Sequence, residues 1–132
     1  MKQENKDNGP RFDPTKSELE ILQVLWQHGP STVRLVNNEL NKRREVQYTS
    51  TLKLMQIMVE KGILNRDETN MKHIYSATWK EGETKNMLLN RFVDSMFNGS
   101  ASNMMMQLLG NRKTSKKELQ AIKDLLNKLD KK

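Results

Sequence analysis

Apolar residues recur at helical spacing through most of this chain, and the places where that spacing stops divide it into elements. In "TKSELEILQVLWQHG", Leu19, Leu22 and Trp26 repeat at intervals of three and four, the signature of an amphipathic helix. Thr15 and Glu18 stand at capping-box spacing at its start, and Gly29 and Pro30 end it. A second helix is expected in "STVRLVNNELNKRR", with Val33, Val36 and Leu40 inward and Arg34, Arg43 and Arg44 outward. The third runs from Thr49, a residue able to cap it, to Gly62, which terminates it. The period then changes. "ILNRDETNMKHIYSATW" reads as strand, turn and strand, with Ile63 and Leu64 leading to a polar tip at residues 67–70 and β-forming residues at 73–79. Three short helices followed by a hairpin are the order of a winged helix-turn-helix.

The fold class expected is therefore mainly α with a small β-hairpin. Residues 1–13 are polar, include Gly9 and Pro10, and predict a flexible arm; residues 14–82 form the winged helix, and residues 83–132 a helical dimerisation domain. The last assignment rests on unpartnered apolar stripes. "EGETKNMLLNRFVDSMFNG" carries Leu88, Leu89, Phe92, Val93 and Met96 on helical spacing, and "SNMMMQLLG" is a second apolar segment. In "SKKELQAIKDLLNKLDKK", Ser115 and Glu118 repeat the capping box ahead of Leu119, Ile122, Leu126 and Leu129. Three short helices cannot cover all of this within one copy, whereas a second copy can, through an isologous two-fold contact. Met104, Met105 and Met106 would also suit a promiscuous groove, but packing in a core or interface is the simpler use.

Composition narrows the chemistry. The chain of 132 residues has no cysteine, which excludes disulfides and thiol catalysis, and His28 and His73 are too far apart in sequence to suggest a metal site. No cofactor is expected. No apolar run is long enough to span a bilayer and the first residues lack the core of a signal peptide, so a cytoplasmic location without membrane insertion is expected. G-x-S-x-G, P-loop and H-E-x-x-H motifs are absent, and Glu18, Glu20, Glu39 and Glu60 read as helix-surface charges, so the chain is not expected to be an enzyme. A net charge of +7 points to an acidic partner such as nucleic acid. The excess lies in the second half, where residues 83–132 carry 10 Lys and Arg against 5 Asp and Glu, so charge alone does not locate a binding face.

The third helix does. At 100° per residue, Leu52, Met55, Met58 and Val59 form an inward stripe, while Ser50, Lys53, Gln56, Glu60 and Lys61 lie opposite. Leu54 and Ile57 interrupt the polar arc. Leu54 is placed either against a thymine methyl group or in packing; Ile57 is expected to pack. The N-terminal residues of a recognition helix contact bases, which nominates Ser50, Thr51, Lys53 and Leu54. Thr49, Lys42, Arg43 and Arg44 around its start, and Lys72 near the hairpin tip, are placed to meet phosphates. A winged helix can also serve as a protein-interaction adaptor, although the basic, hydroxyl-rich start of this helix argues for duplex DNA.

"YTSTLKLMQIMVEKGILNRDE" followed by "HIYSATW" resembles the recognition helix and wing of the penicillinase repressor family, the BlaI/MecI/CopY group, and "KSELEILQVLWQHGPSTVRLV" is similar to its opening pattern. The resemblance implies a homodimeric transcriptional repressor on a palindromic operator related to TACA/TGTA. It also puts Ser50, Thr51 and Lys53 at base-contacting positions. Relatives often carry arginine where Met71 stands, which leaves wing contact to Lys72, and the absence of a C-terminal cysteine cluster disfavours copper sensing. The resemblance further implies release through a membrane sensor-protease pathway that cuts the dimerisation helices. The matching bond joins Gln107 to Leu108, where staphylococcal members have Asn-Phe.

Overall fold

The computed structural model describes residues 13–69, 71–111 and 113–130. Their element order is α1 (Lys16–His28), α2 (Val33–Leu40), α3 (Tyr48–Glu60), β1 (Leu64–Asp67), β2 (Ile74–Ala77), α4 (Glu81–Phe97), α5 (Ala101–Asn111) and α6 (Lys116–Asp130). This is the expected winged helix-turn-helix followed by helices. The arm expected at residues 1–13 lies, apart from Asp13, outside the described residues.

The chain divides into two compact units after Leu89, inside α4, rather than at the start of that helix. The reason is local packing. Trp26 Nε1–H donates to the carbonyl of Trp79 at 2.9 Å, Lys85 Nζ lies 5.9 Å from the centre of the Trp26 ring, and Thr84 is buried. These contacts hold the opening turns of α4 to the first unit.

In that unit, Ile21, Leu22, Leu25, Val36, Met55, Met58, Ile63 and Tyr75 form the centre of one apolar cluster. The buried arc of α1 is wider than its sequence stripe predicted: Ile21, Val24 and Leu25 join Leu22, while Leu19 and Trp26 are only half-buried. At the end of α3, Gly62 adopts φ +83°, and the amide of Ile63 donates to the carbonyl of Met58 at 2.9 Å. This left-handed closure suits glycine and turns the chain directly into the hairpin. β1 and β2 pair antiparallel, with Arg66 opposite Tyr75. Ser31, just before α2, exchanges backbone hydrogen bonds with Tyr75 at 2.9 and 2.8 Å, which fastens the hairpin to the helices.

In the second unit, Val93 is buried, the rings of Phe92 and Phe97 meet edge to face with centroids 5.9 Å apart, and the hydroxyl of Ser115 caps α6 by accepting from the amide of Glu118 at 3.0 Å. Neither α5 nor α6 has a buried residue in the single chain. Leu89, Phe92, Met96, Leu119, Leu126 and Leu129 are exposed, and Leu88 and Ile122 are half-covered.

Glu18 departs from its expected place on the surface. It is 2 % exposed, its carboxylate accepts from Lys61 Nζ at 2.7 Å and from the backbone N–H of Thr15 at 2.9 Å, and its own N–H donates to the Thr15 hydroxyl. The capping box is therefore complete, and it ties the start of α1 to the end of α3. Burial by itself pushes the Glu18 carboxyl up, but the Lys61 hydrogen bond, the Thr15 amide and the Lys61 charge outweigh it and hold its pKa below the ordinary 4.5. A carboxyl depressed in the folded state contributes stability that is present above its unfolded pKa and fades as pH falls through the folded one. Glu18→Gln is expected to lower the unfolding free energy at neutral pH by about 1–2 kcal/mol, the low end for buried charged hydrogen bonds because Lys61 is part-exposed. Denaturant titrations at several pH values check this, and a loss that does not shrink in acid would count against it.

Candidate nucleic-acid interface

The third helix begins at Tyr48, and its cap lies two residues earlier than its sequence suggested. Gln47, not Thr49, is the N-cap residue, and it makes no side-chain capping bond. Thr49 therefore sits exposed in the first turn. Ser50, Lys53, Gln56 and Glu60 are exposed with it, and their spacing puts Thr49, Lys53, Gln56 and Glu60 on one outward strip. Leu54 is partly buried and packed against the core cluster, and Ile57 is half-buried. Lys61 does not belong to the outward face, because Glu18 holds it.

Thr51 requires a correction. It is 1 % exposed, and its hydroxyl accepts a hydrogen bond of 2.7 Å from Asn37 Nδ2. A base edge in a groove cannot be reached from there. The sequence placed it wrongly because it was judged by its nearness to the helix start, whereas its angular position aligns it with Met55 and Met58.

The basic residues ahead of α3 separate into two kinds. Lys42 Nζ pairs with Glu39 at 2.9 Å, and Arg44 pairs with Glu20 across to α1 at 2.5 Å. The hydrogen bond from Arg44 lowers the pKa of Glu20 against the effect of burial, and that from Lys42 lowers the pKa of Glu39. Arg43 is exposed and has no ion pair among the described residues, and the same is true of Lys53 and Lys72.

A groove of about 610 Å³ runs between α2, the start of α3 and the hairpin tip. Arg34, Asn38, Tyr48, Lys72 and His73 are among the residues that line it. The Arg34 guanidinium lies 4.9 Å from the centre of the Tyr48 ring, which orients its charge toward the groove wall. Sequence reading left Tyr48 and His73 out. The available signal was an aromatic residue at the helix start beside an arginine, and only the folded chain brings them together. The wing is mixed in charge. Arg66 is engaged by Tyr75 and Glu68, which raise its pKa, and Asp67 is lowered by accepting from the backbone and hydroxyl of Thr69 at 2.9 and 2.8 Å. Met71 stands fully exposed next to Lys72. Gln107 and Leu108 are exposed within α5.

The site is thus an outward polar strip on one helix, with cations that have no ion pair among the described residues before it, at Arg43, and across the groove, at Lys72. Among the described residues, no helix is long and apolar enough to cross a membrane. The sequence pattern of the family described as penicillinase repressor matches residues 14–128. The chain is 22 % identical over 116 residues to a penicillinase repressor of Staphylococcus aureus, covering 88 % of this chain and 92 % of that one. It is 23 % identical over 110 residues to a penicillinase repressor of Bacillus licheniformis, covering 83 % and 86 %. With the methicillin resistance regulatory protein MecI of Mammaliicoccus sciuri the identity is 17 % over 117 residues, covering 89 % and 95 %. With a match that spans both the winged helix and the helices after it, the chain belongs to the penicillinase repressor family, a family of DNA-binding transcriptional repressors.

Proposed function

We propose that this protein represses transcription as a homodimer bound to a palindromic operator, with α3 reading bases in the major groove and the residues around it gripping the backbone. The observation that carries the reading is the exposed strip of Thr49, Lys53 and Gln56 on a helix whose opposite side is packed in the core. Ser50 stands beside the strip, and Lys53 and Gln56 have the donors and acceptors that distinguish base pairs. Arg43 and Lys72, with Lys42, Arg44 and Thr49 nearer the helix start, supply phosphate contacts. Arg34 and Tyr48 line the groove where one strand of the backbone would pass.

The dimer reading rests on the helices after the hairpin. α5 and α6 have no buried residue, and the exposed apolar stripes of α4 and α6 leave a surface of the kind that marks association. Leu88, Leu89, Phe92 and Met96 on α4 and Leu119, Ile122, Leu126 and Leu129 on α6 would meet their copies across a two-fold axis. Two joined heads bind half-sites about one helical turn apart, and the second head then binds from a high effective concentration. Cleavage between Gln107 and Leu108 would remove that advantage and leave α3 intact. α5 suits such a cut because its exposed, unburied turns open at little cost.

Selection of bound sequences from random duplex DNA tests the repressor reading. An inverted repeat should emerge, and a pool without sequence preference would sink it. On the selected site, Lys53→Ala and Gln56→Ala should each reduce operator-over-random discrimination by about 1–3 kcal/mol. Arg43→Ala should instead weaken both equally and lower the salt slope by about one. Equal weakening by Lys53→Ala would remove it from base readout.

In sedimentation the full chain should run as a dimer at micromolar concentration. A fragment ending at Gln107 should run as a monomer and bind the operator on the order of 100-fold more weakly. If the fragment stayed dimeric and bound as tightly as the whole chain, a cut at this bond could not be the release step.

A further inference from the structure

We propose that Asn37, Asn41 and Thr51 form a polar clasp that sets the rotation of α3 about its own axis, and so the aim of its base-reading strip; this rests on the repressor reading above. Asn37 is 7 % exposed and uses its whole side chain. Its Nδ2 donates to the Thr51 hydroxyl at 2.7 Å and to the carbonyl of Val46 at 3.1 Å, and its Oδ1 accepts from Asn41 Nδ2 at 3.2 Å. Asn41 completes the ring. Its Nδ2 also donates to the carbonyls of Asn37 and Val46 at 2.8 and 3.0 Å, and its Oδ1 accepts from the amide of Val46 at 3.1 Å. Both backbone polar groups of Val46 are thus fixed from α2, immediately before the N-cap residue of α3.

That position matters because, among the described residues, no other side-chain hydrogen bond holds the backbone at the helix start. Gln47 gives no side-chain cap, and the fully buried apolar anchors further along α3 are Met55 and Met58, unbranched side chains that repack readily, with Leu52, Leu54 and Val59 packed only partly buried at their edge. A buried amide is different. If α3 rolls, Asn37 loses a directional bond to the buried Thr51 hydroxyl, and an unsatisfied buried donor is expensive. Thr51 lies on the side of α3 away from Lys53, so its tether limits the swing of the outward strip. These three residues are positioning residues and touch no DNA.

The test uses the full chain and a double-mutant cycle of Thr51→Val and Asn37→Ala, with Thr51→Ser as the conservative rescue. The readouts are affinity for the selected operator, affinity for random duplex of equal length, and the salt slope of each. Thr51→Val keeps shape and removes the hydroxyl. It should lower operator-over-random discrimination about tenfold while leaving random-duplex affinity and salt slope unchanged. Thr51→Ser should stay within about twofold of the original chain, and the double variant should lose little more than either single one, because both remove the same bond. A Thr51→Val protein that discriminates like the original overturns the proposal, as do equal losses on both DNAs or an additive cycle. If Thr51→Val does not fold, Asn37→Ala against the original chain decides by the same ratio. An original chain without preference for any duplex would instead refute the repressor reading itself, and that arm is read first.

Discussion

The fold depends on the burial of one side of α3. Met55 and Met58 enter the cluster built by Ile21, Leu22, Leu25 and Val36, and that contact lets three helices too short to stand alone hold one another. It also fixes the allotment of the remaining positions on α3. Each residue turned inward is unavailable to a partner, so the burial of Thr51 and the packing of Leu54 leave a narrow outward strip. Side chains of the neighbouring helices add polar fastenings at both ends of α3, with Asn37 of α2 at the start and Glu18 of α1 at the finish.

Much of this was legible in the sequence. The capping box of Thr15 and Glu18, the stop at Gly62 and the hairpin each depend on residues close together in the chain, and local spacing carries that information. Val33, Val36 and Leu40 face inward as their period required. What escaped notice depends on distant partners. Glu18 reads as a surface charge until Lys61, 43 positions later, is brought beside it. Asn37 reads as an ordinary polar helix residue until Thr51 and Val46 arrive. Proximity of Thr51 to a helix start says nothing about the direction of its side chain.

The apolar stripes of α4 and α6 were legible as stripes, since a period needs no partner. Their exposure in a single chain is the structural counterpart of that reading. The division of the chain inside α4 was not legible, because it turns on the contacts of Trp26, Trp79 and Thr84, residues from three different segments. A continuous helix that begins in one compact unit and ends in the other has no composition change to mark the boundary.

The same contacts give the molecule an uneven spectroscopy. Both tryptophans, Trp26 and Trp79, and both tyrosines, Tyr48 and Tyr75, lie in the first unit, and the described aromatic rings of the second are the phenylalanines Phe92 and Phe97. Intrinsic fluorescence excited in tryptophan therefore reports the winged helix alone, and the bond from Trp26 to the carbonyl of Trp79 makes that signal sensitive to the junction with α4. Melting of the C-terminal helices passes unseen in such a signal and registers only in the amide absorption of the backbone. Two probes that disagree during unfolding would then be reading two units, rather than an intermediate of one.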